Sequence, residues 1–118
     1  MPHVHANRVT IPVPGGKVIE ELVGAASTQN RDISIAHMTA PAGWTEPFQT
    51  PDFEEYTVVL RGTVTLECDS VVLECHAGET LVTLPGERIR YGVGPDGADY
   101  IAICIPAFTP ESVHREEE

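Results

Sequence analysis

The sequence predicts a single all-β domain. Three features point there. Short runs of alternating apolar residues recur along the chain, turn residues break them roughly every 6 to 12 residues, and no stretch sustains a helical period. A length of 118 residues suits one core, and an apolar fraction of 42% suits a folded domain rather than a disordered one.

The first alternating run is Arg8 to Val13, ended by Pro14-Gly15-Gly16. Val18 to Val23 reads as a strand, with one helical turn as the other reading. Asp32 to Thr39 alternates, which puts Ile33, Ile35 and His37 on one face before the turn at Pro41-Ala42-Gly43. Phe53 to Leu60 follows a proline-rich loop and stops at Arg61-Gly62. Thr63 to Cys68 shares a face through Val64, Leu66 and Cys68. Asp69-Ser70 turns the chain into Val71 to Cys75, a hairpin. Thr80 to Leu84, Arg88 to Gly92 and the apolar run Tyr100 to Ile105 complete the set. About nine short strands of this kind indicate a sandwich or barrel. Residues 1–31 are expected to form an N-terminal arm and strands, 32–105 the barrel core and 106–118 a tail, all within one domain. That tail has one helical turn near Pro110, and Arg115 and the terminal glutamates are expected to be mobile.

Composition narrows the function classes. A net charge of −11 argues against a nucleic-acid face or an anionic membrane surface. No apolar run is long enough to span a membrane, and the first residues carry no apolar leader segment, so a cytoplasmic protein is expected. Cys68, Cys75 and Cys104 show no metal or disulfide spacing and read as small core residues. The single lysine, Lys17, beside six arginines reads as compositional bias.

The chemistry centres on Glu54-Glu55, just before Val58-Val59-Leu60. Adjacent strand residues point to opposite faces, so one of the two carboxylates faces inward, where it needs a partner. Strand parity groups Gln49, Phe53, Glu55 and Thr57, and makes Glu55 the inward residue unless a bulge shifts the register. Trp44 and Phe48 belong to the loop over the barrel mouth. Tyr91 is the candidate phenol, and Arg90 the candidate clamp for an anionic group. His37 is a candidate ligand only if its strand turns it inward.

Gly43, Glu55 and Gly62 stand at the spacings of the first cupin motif, G-x5-H-x-H-x3-E-x6-G, with Gln49 and Pro51 at its histidine positions. Gly78 and Gly86 fit the second motif, G-x5-P-x-G-x2-H, with the proline displaced to Pro85 and Ile89 at the histidine position. Over roughly residues 32 to 105 the chain resembles the cupin superfamily, RmlC-like jelly-roll barrels. Within it the chain resembles most the histidine-poor cupins related to the ethanolamine-utilisation cupin. The resemblance implies a jelly-roll barrel that pairs as a homodimer. It also implies that the usual cupin metal is not expected, since of its four ligands only Glu55 remains by type; any other cofactor is unassigned.

The expected function is therefore a small cupin barrel that binds a small organic molecule and, if it is an enzyme, works by acid/base chemistry of the isomerase, lyase or cyclase type. Glu55 and Tyr91 are the catalytic candidates, and Gln49, Trp44, Phe53 and Arg90 the substrate-binding ones. One alternative is a metal-dependent enzyme on Glu55, Gln49 and His37. The other is a non-catalytic ligand-binding or accessory protein. The expected partners are a small-molecule ligand and a second copy, with no nucleic acid and no membrane.

Overall fold

Seven strands, all antiparallel, make up a computed structural model of the chain, which describes residues 1–117. They are β1 (Val9–Ile11), β2 (Val18–Val23), β3 (Ser34–Ala40), β4 (Glu54–Cys68), β5 (Val71–His76), β6 (Thr80–Thr83) and β7 (Arg90–Ile105). Their order is β1-β2-β3-β7-β4-β5, with β6 also paired to β4. The sheet rolls into a jelly-roll barrel.

The strands are fewer than the sequence suggests because two pairs merge. Arg61-Gly62 does not end a strand; it lies inside β4, where the register with β7 shifts between Val59 and Arg61 and again between Gly62 and Val64. The bulge flips the parity of the buried face, from Glu55, Thr57 and Val59 before it to Val64 and Leu66 after it. Likewise Gly94-Pro95-Asp96-Gly97 is an excursion within β7: Val93 pairs with Val64 and Ala98 with Gly62. The two bends meet. A Cβ on Gly62 would lie 2.0 Å from the Gly97 carbonyl oxygen, and Gly62 has φ 77°. Only glycine permits both that approach and that backbone.

Two further expectations are corrected. On β3 the buried residues are Ser34, Ala36 and Ala40, so Ile35 and His37 face outward; the two isoleucines and His37 do share a face, but it is not the core face. In β7 the run from Tyr100 is not buried throughout. Tyr100, Ala102 and Cys104 face in, while Ile101 and Ile103 are half-buried and Ile105 is exposed. A continuous apolar run signals burial on both faces in parallel sheets; this sheet is antiparallel and rolled, so its outer face meets water.

The core has two parts. One gathers Val59, Val64, Leu66, Ile89, Tyr91 and Tyr100 with smaller residues. The other joins Phe53, Cys104 and Val113, with Phe108 against them. Burying an aromatic such as Phe53 contributes about 2–3 kcal/mol. Val113 belongs to the presumed tail, which is in fact held. Asp52 N–H donates to the Ser112 carbonyl, Thr50 N–H to that of His114, and Glu116 N–H to that of Phe48. Mobility is thus corrected for Arg115 and Glu116, and residues 110–112 form a turn rather than a helix. Glu118 lies outside the described residues.

Candidate functional site

Strand parity in β4 aims Glu55 into the barrel, where it is 7% exposed, while Glu54 faces outward beside Tyr56. Glu55 lies between Thr83 on β6 and Cys104 on β7. Tyr91, carried inward by the first half of β7, sets its hydroxyl 3.1 Å from that of Thr83 and lines the same cavity as Glu55. Burial pushes the Glu55 carboxyl up to about 7. Lys17 opposes the shift, Glu46 adds to it, and the Tyr91 hydroxyl opposes it. The same burial, with Glu55 as neighbour, raises the Tyr91 phenol well above its usual range, so Tyr91 is a donor at any working pH.

Three charged residues that the sequence reading did not assign to the site complete it. Lys17 enters from the start of β2, its Nζ 4.0 Å from the centre of the Trp44 ring and 5.3 Å from that of Tyr100. Removal from water lowers its pKa, against the pull of Glu46 and Glu55. Glu46, 8% exposed, comes from the loop over the mouth; burial raises its carboxyl, and Lys17 and Arg115 hold it back. Arg115 returns from the chain end and donates to Glu46 at 3.0 Å. Glu21 is a third buried carboxylate, satisfied by the Ala26 and Ser27 amides at 3.1 and 2.7 Å. The elements that carry these groups are far apart in sequence and leave no local pattern. The one available signal for Lys17 was its position directly after the Pro14-Gly15-Gly16 turn at a strand start.

These residues surround an inner cavity of about 80 Å³, walled by Phe53, Tyr91, Tyr100 and Phe108 and reached by Glu55. A second cleft, about 300 Å³, lies outside it beneath Trp44. Lys17, Glu46 and Arg115 border both. The site is thus a larger cleft and a smaller apolar cavity that share Lys17, Glu46 and Arg115.

Of the residues named from sequence, Glu55, Tyr91, Gln49 and Phe53 line the inner cavity and Trp44 the outer cleft. Gln49 exchanges backbone hydrogen bonds with Ile89. Arg90 is elsewhere: it pairs with Glu67 and lies against Phe48, whose ring also meets Arg88. His37 lies outside the barrel with Nδ1 3.9 Å from Glu20. Among the described residues no three His, Cys, Asp or Glu side chains converge as a metal site. Where the usual cupin metal would have imidazoles, the barrel holds Gln49, Pro51 and a fully packed Ile89, so these residues do not fit that ion.

Solved structures share this architecture. An RmlC-like cupin from Shewanella frigidimarina NCIMB 400 matches with TM-score 0.73 and 16% identity, over 91% of this chain and 93% of that one. Pac13, described as a unique nucleoside dehydratase, matches with TM-score 0.77 and 12% identity, over 99% and 91%. The barrel is a cupin-type jelly roll. No family model matches the sequence. A curated protein from Myxococcus xanthus (strain DK1622), named Endoribonuclease YbeY, is 44% identical over 107 residues, which is 90% of this chain and 36% of that protein. The chain therefore spans about a third of the curated relative's length.

That relative corrects three expectations. Placement among the histidine-poor cupins related to the ethanolamine-utilisation cupin is overturned, because this sequence match runs instead to a protein named as an endoribonuclease. The small-molecule isomerase, lyase or cyclase function falls with it, as do the metal-dependent and accessory alternatives. So does the expectation of a small-molecule partner and no nucleic acid. The physical reason is that net charge limits how strongly a surface grips phosphates; it does not fix what one pocket, or a longer protein containing it, acts on. Among the described residues no helix is long and apolar enough to cross a membrane.

Proposed function

We propose that this chain takes part in RNA processing, with Glu55 as its proton-transferring group. The observation that carries the reading is the junction itself. A carboxyl pushed to about 7 lies inside a barrel whose mouth holds Lys17 and Arg115, and the sequence is 44% identical to part of a protein named as an endoribonuclease. Since the chain spans about a third of that protein, the activity in its name is part of the proposal.

The chemistry is transesterification at one unpaired nucleotide. The outer cleft, bordered by Trp44, Thr45 and Pro47, is of nucleotide size. Pac13, of the same fold, is described as acting on a nucleoside. Ionised Glu55 takes the 2′-hydroxyl proton, O2′ attacks phosphorus, and the P–O5′ bond breaks. Lys17 faces the phosphate charge and supplies the proton to the leaving O5′. The Tyr91 hydroxyl favours the ionised form of Glu55. A charge of −11 allows no extended phosphate grip, so binding is weak and only slightly salt-dependent. A cytoplasmic site of action belongs to the same reading.

The test is cleavage of a labelled single-stranded RNA by the purified chain, without added metal. Wild type is expected to cleave, Glu55→Gln to lose about a hundredfold or more in rate, and a 2′-deoxy residue at the scissile position to block the reaction. Absence of cleavage by wild type, or an undiminished rate in Glu55→Gln, overturns the proposal.

A further inference from the structure

We infer that Lys17 is a carbonyl-capturing amine: the junction between cleft and cavity is built to form an imine between Lys17 and a small uncharged aldehyde, with Glu55 as the proton donor. This inference does not rest on the RNA reading.

Lys17 is the only lysine in the chain, and its side chain points into the barrel rather than into solvent. Its amine lies over the Trp44 and Tyr100 rings, and among the described residues it forms no ion pair within 4 Å. An ammonium that served only to balance Glu46 would be expected in direct contact with it, as Arg115 is at 3.0 Å. Lys17 instead borders both the 300 Å³ cleft and the 80 Å³ cavity. The interior has room for a few non-hydrogen atoms and walls that favour an apolar chain. Removal from water favours the free amine, the form that attacks a carbonyl. Glu55, at about 7, is divided between acid and carboxylate near neutrality and so can donate a proton.

The step balances without any other reactant. The Nζ lone pair forms a bond to the carbonyl carbon, and a proton passes from nitrogen to the former carbonyl oxygen, giving a carbinolamine. Protonated Glu55 then gives its proton to that hydroxyl, which leaves as water while the nitrogen lone pair forms the C=N bond. One amine, one aldehyde and one carboxylic acid yield one iminium, one water and one carboxylate. The iminium and Glu55 are then an ion pair inside the barrel.

Propionaldehyde with cyanoborohydride tests this on the native chain, since reduction fixes the imine as a stable propyl adduct that peptide mass spectrometry locates. The Met1 α-amine is the internal competitor. Lys17 is expected to be alkylated about tenfold faster than Met1, with saturation as aldehyde rises, and to lose that advantage in urea. Glu55→Gln, which removes a buried charge and keeps the side-chain shape, is expected to slow Lys17 labelling about tenfold while Met1 labelling holds. Met1 labelling at the same rate as Lys17 in the native chain, or undiminished Lys17 labelling in Glu55→Gln, overturns the inference. RNA cleavage is a separate readout, so the two proposals fail independently.

Discussion

Arg115 and Glu46 are 69 positions apart and meet at 3.0 Å, closing the barrel mouth with a pair whose carboxylate is almost wholly buried. The arginine is 37% exposed, so water screens its side of the pair. Arg115→Ala leaves the Glu46 charge without its nearest cation and is expected to cost about 1–2 kcal/mol in urea unfolding. Adding Glu46→Gln to that variant removes the stranded charge, and the double mutant is expected to regain most of the loss. Additive losses in the double mutant would show that the two residues act separately.

Glu55 gives the chain a pH-dependent stability of unusual sign. Its carboxyl titrates near 7 in the fold and near 4.5 when unfolded, so between those values the native state binds the extra proton. Stability from this group is fully present below about pH 4.5 and is lost as pH rises through 7, by up to about 3 kcal/mol. Denaturation midpoints at intervals from about pH 5 to pH 8 should therefore fall, and Glu55→Gln should flatten this part of the profile. A wild-type midpoint that rises steadily over that interval would contradict the assignment.

Tyr91→Phe removes the hydroxyl that favours ionised Glu55. The Glu55 carboxyl should then titrate at higher pH than in wild type, a shift that NMR of the labelled side-chain carboxyl carbon reads directly. The Thr83 hydroxyl also loses its partner at 3.1 Å, so a cost of about 1 kcal/mol accompanies the shift. An unmoved titration would show that the phenol does not act on Glu55.

The crossing of the two bends is the most intolerant point of the backbone. Gly62→Ala places a methyl group against the Gly97 carbonyl and forces a positive φ on alanine. A loss of about 3 kcal/mol or more, or failure to fold, is expected. Gly43→Ala is the control, since φ 71° is equally positive but nothing lies within 4 Å of the added methyl; about 1 kcal/mol is expected there. Equal thermal stability of the two variants would remove the steric explanation.

The inward turn of Glu55 was legible because strand period is local: two adjacent glutamates before an apolar run leave one of them inside. The barrel class was legible for the same reason, from alternation and turns. Strand number was not. Arg61-Gly62 and Gly94 to Gly97 carry the residues of turns, yet they bend β4 and β7 without ending them, because each bend is supported by the other across the sheet. Lys17, Glu46 and Arg115 were not legible as a group. They sit at a strand start, in a loop and at the chain end, and only closure of the barrel brings them together. His37 shows the opposite failure: the alternation was real, but period two cannot say which of its two faces meets the core.

The final described segment runs from the buried Val113 to the Glu116 amide bonded to Phe48, past the opening of the cleft. Whatever is joined after this point, whether an affinity tag, a reporter or a further domain, emerges beside the pocket rather than at a remote pole. Such an extension becomes part of the doorway and alters which molecules reach Lys17.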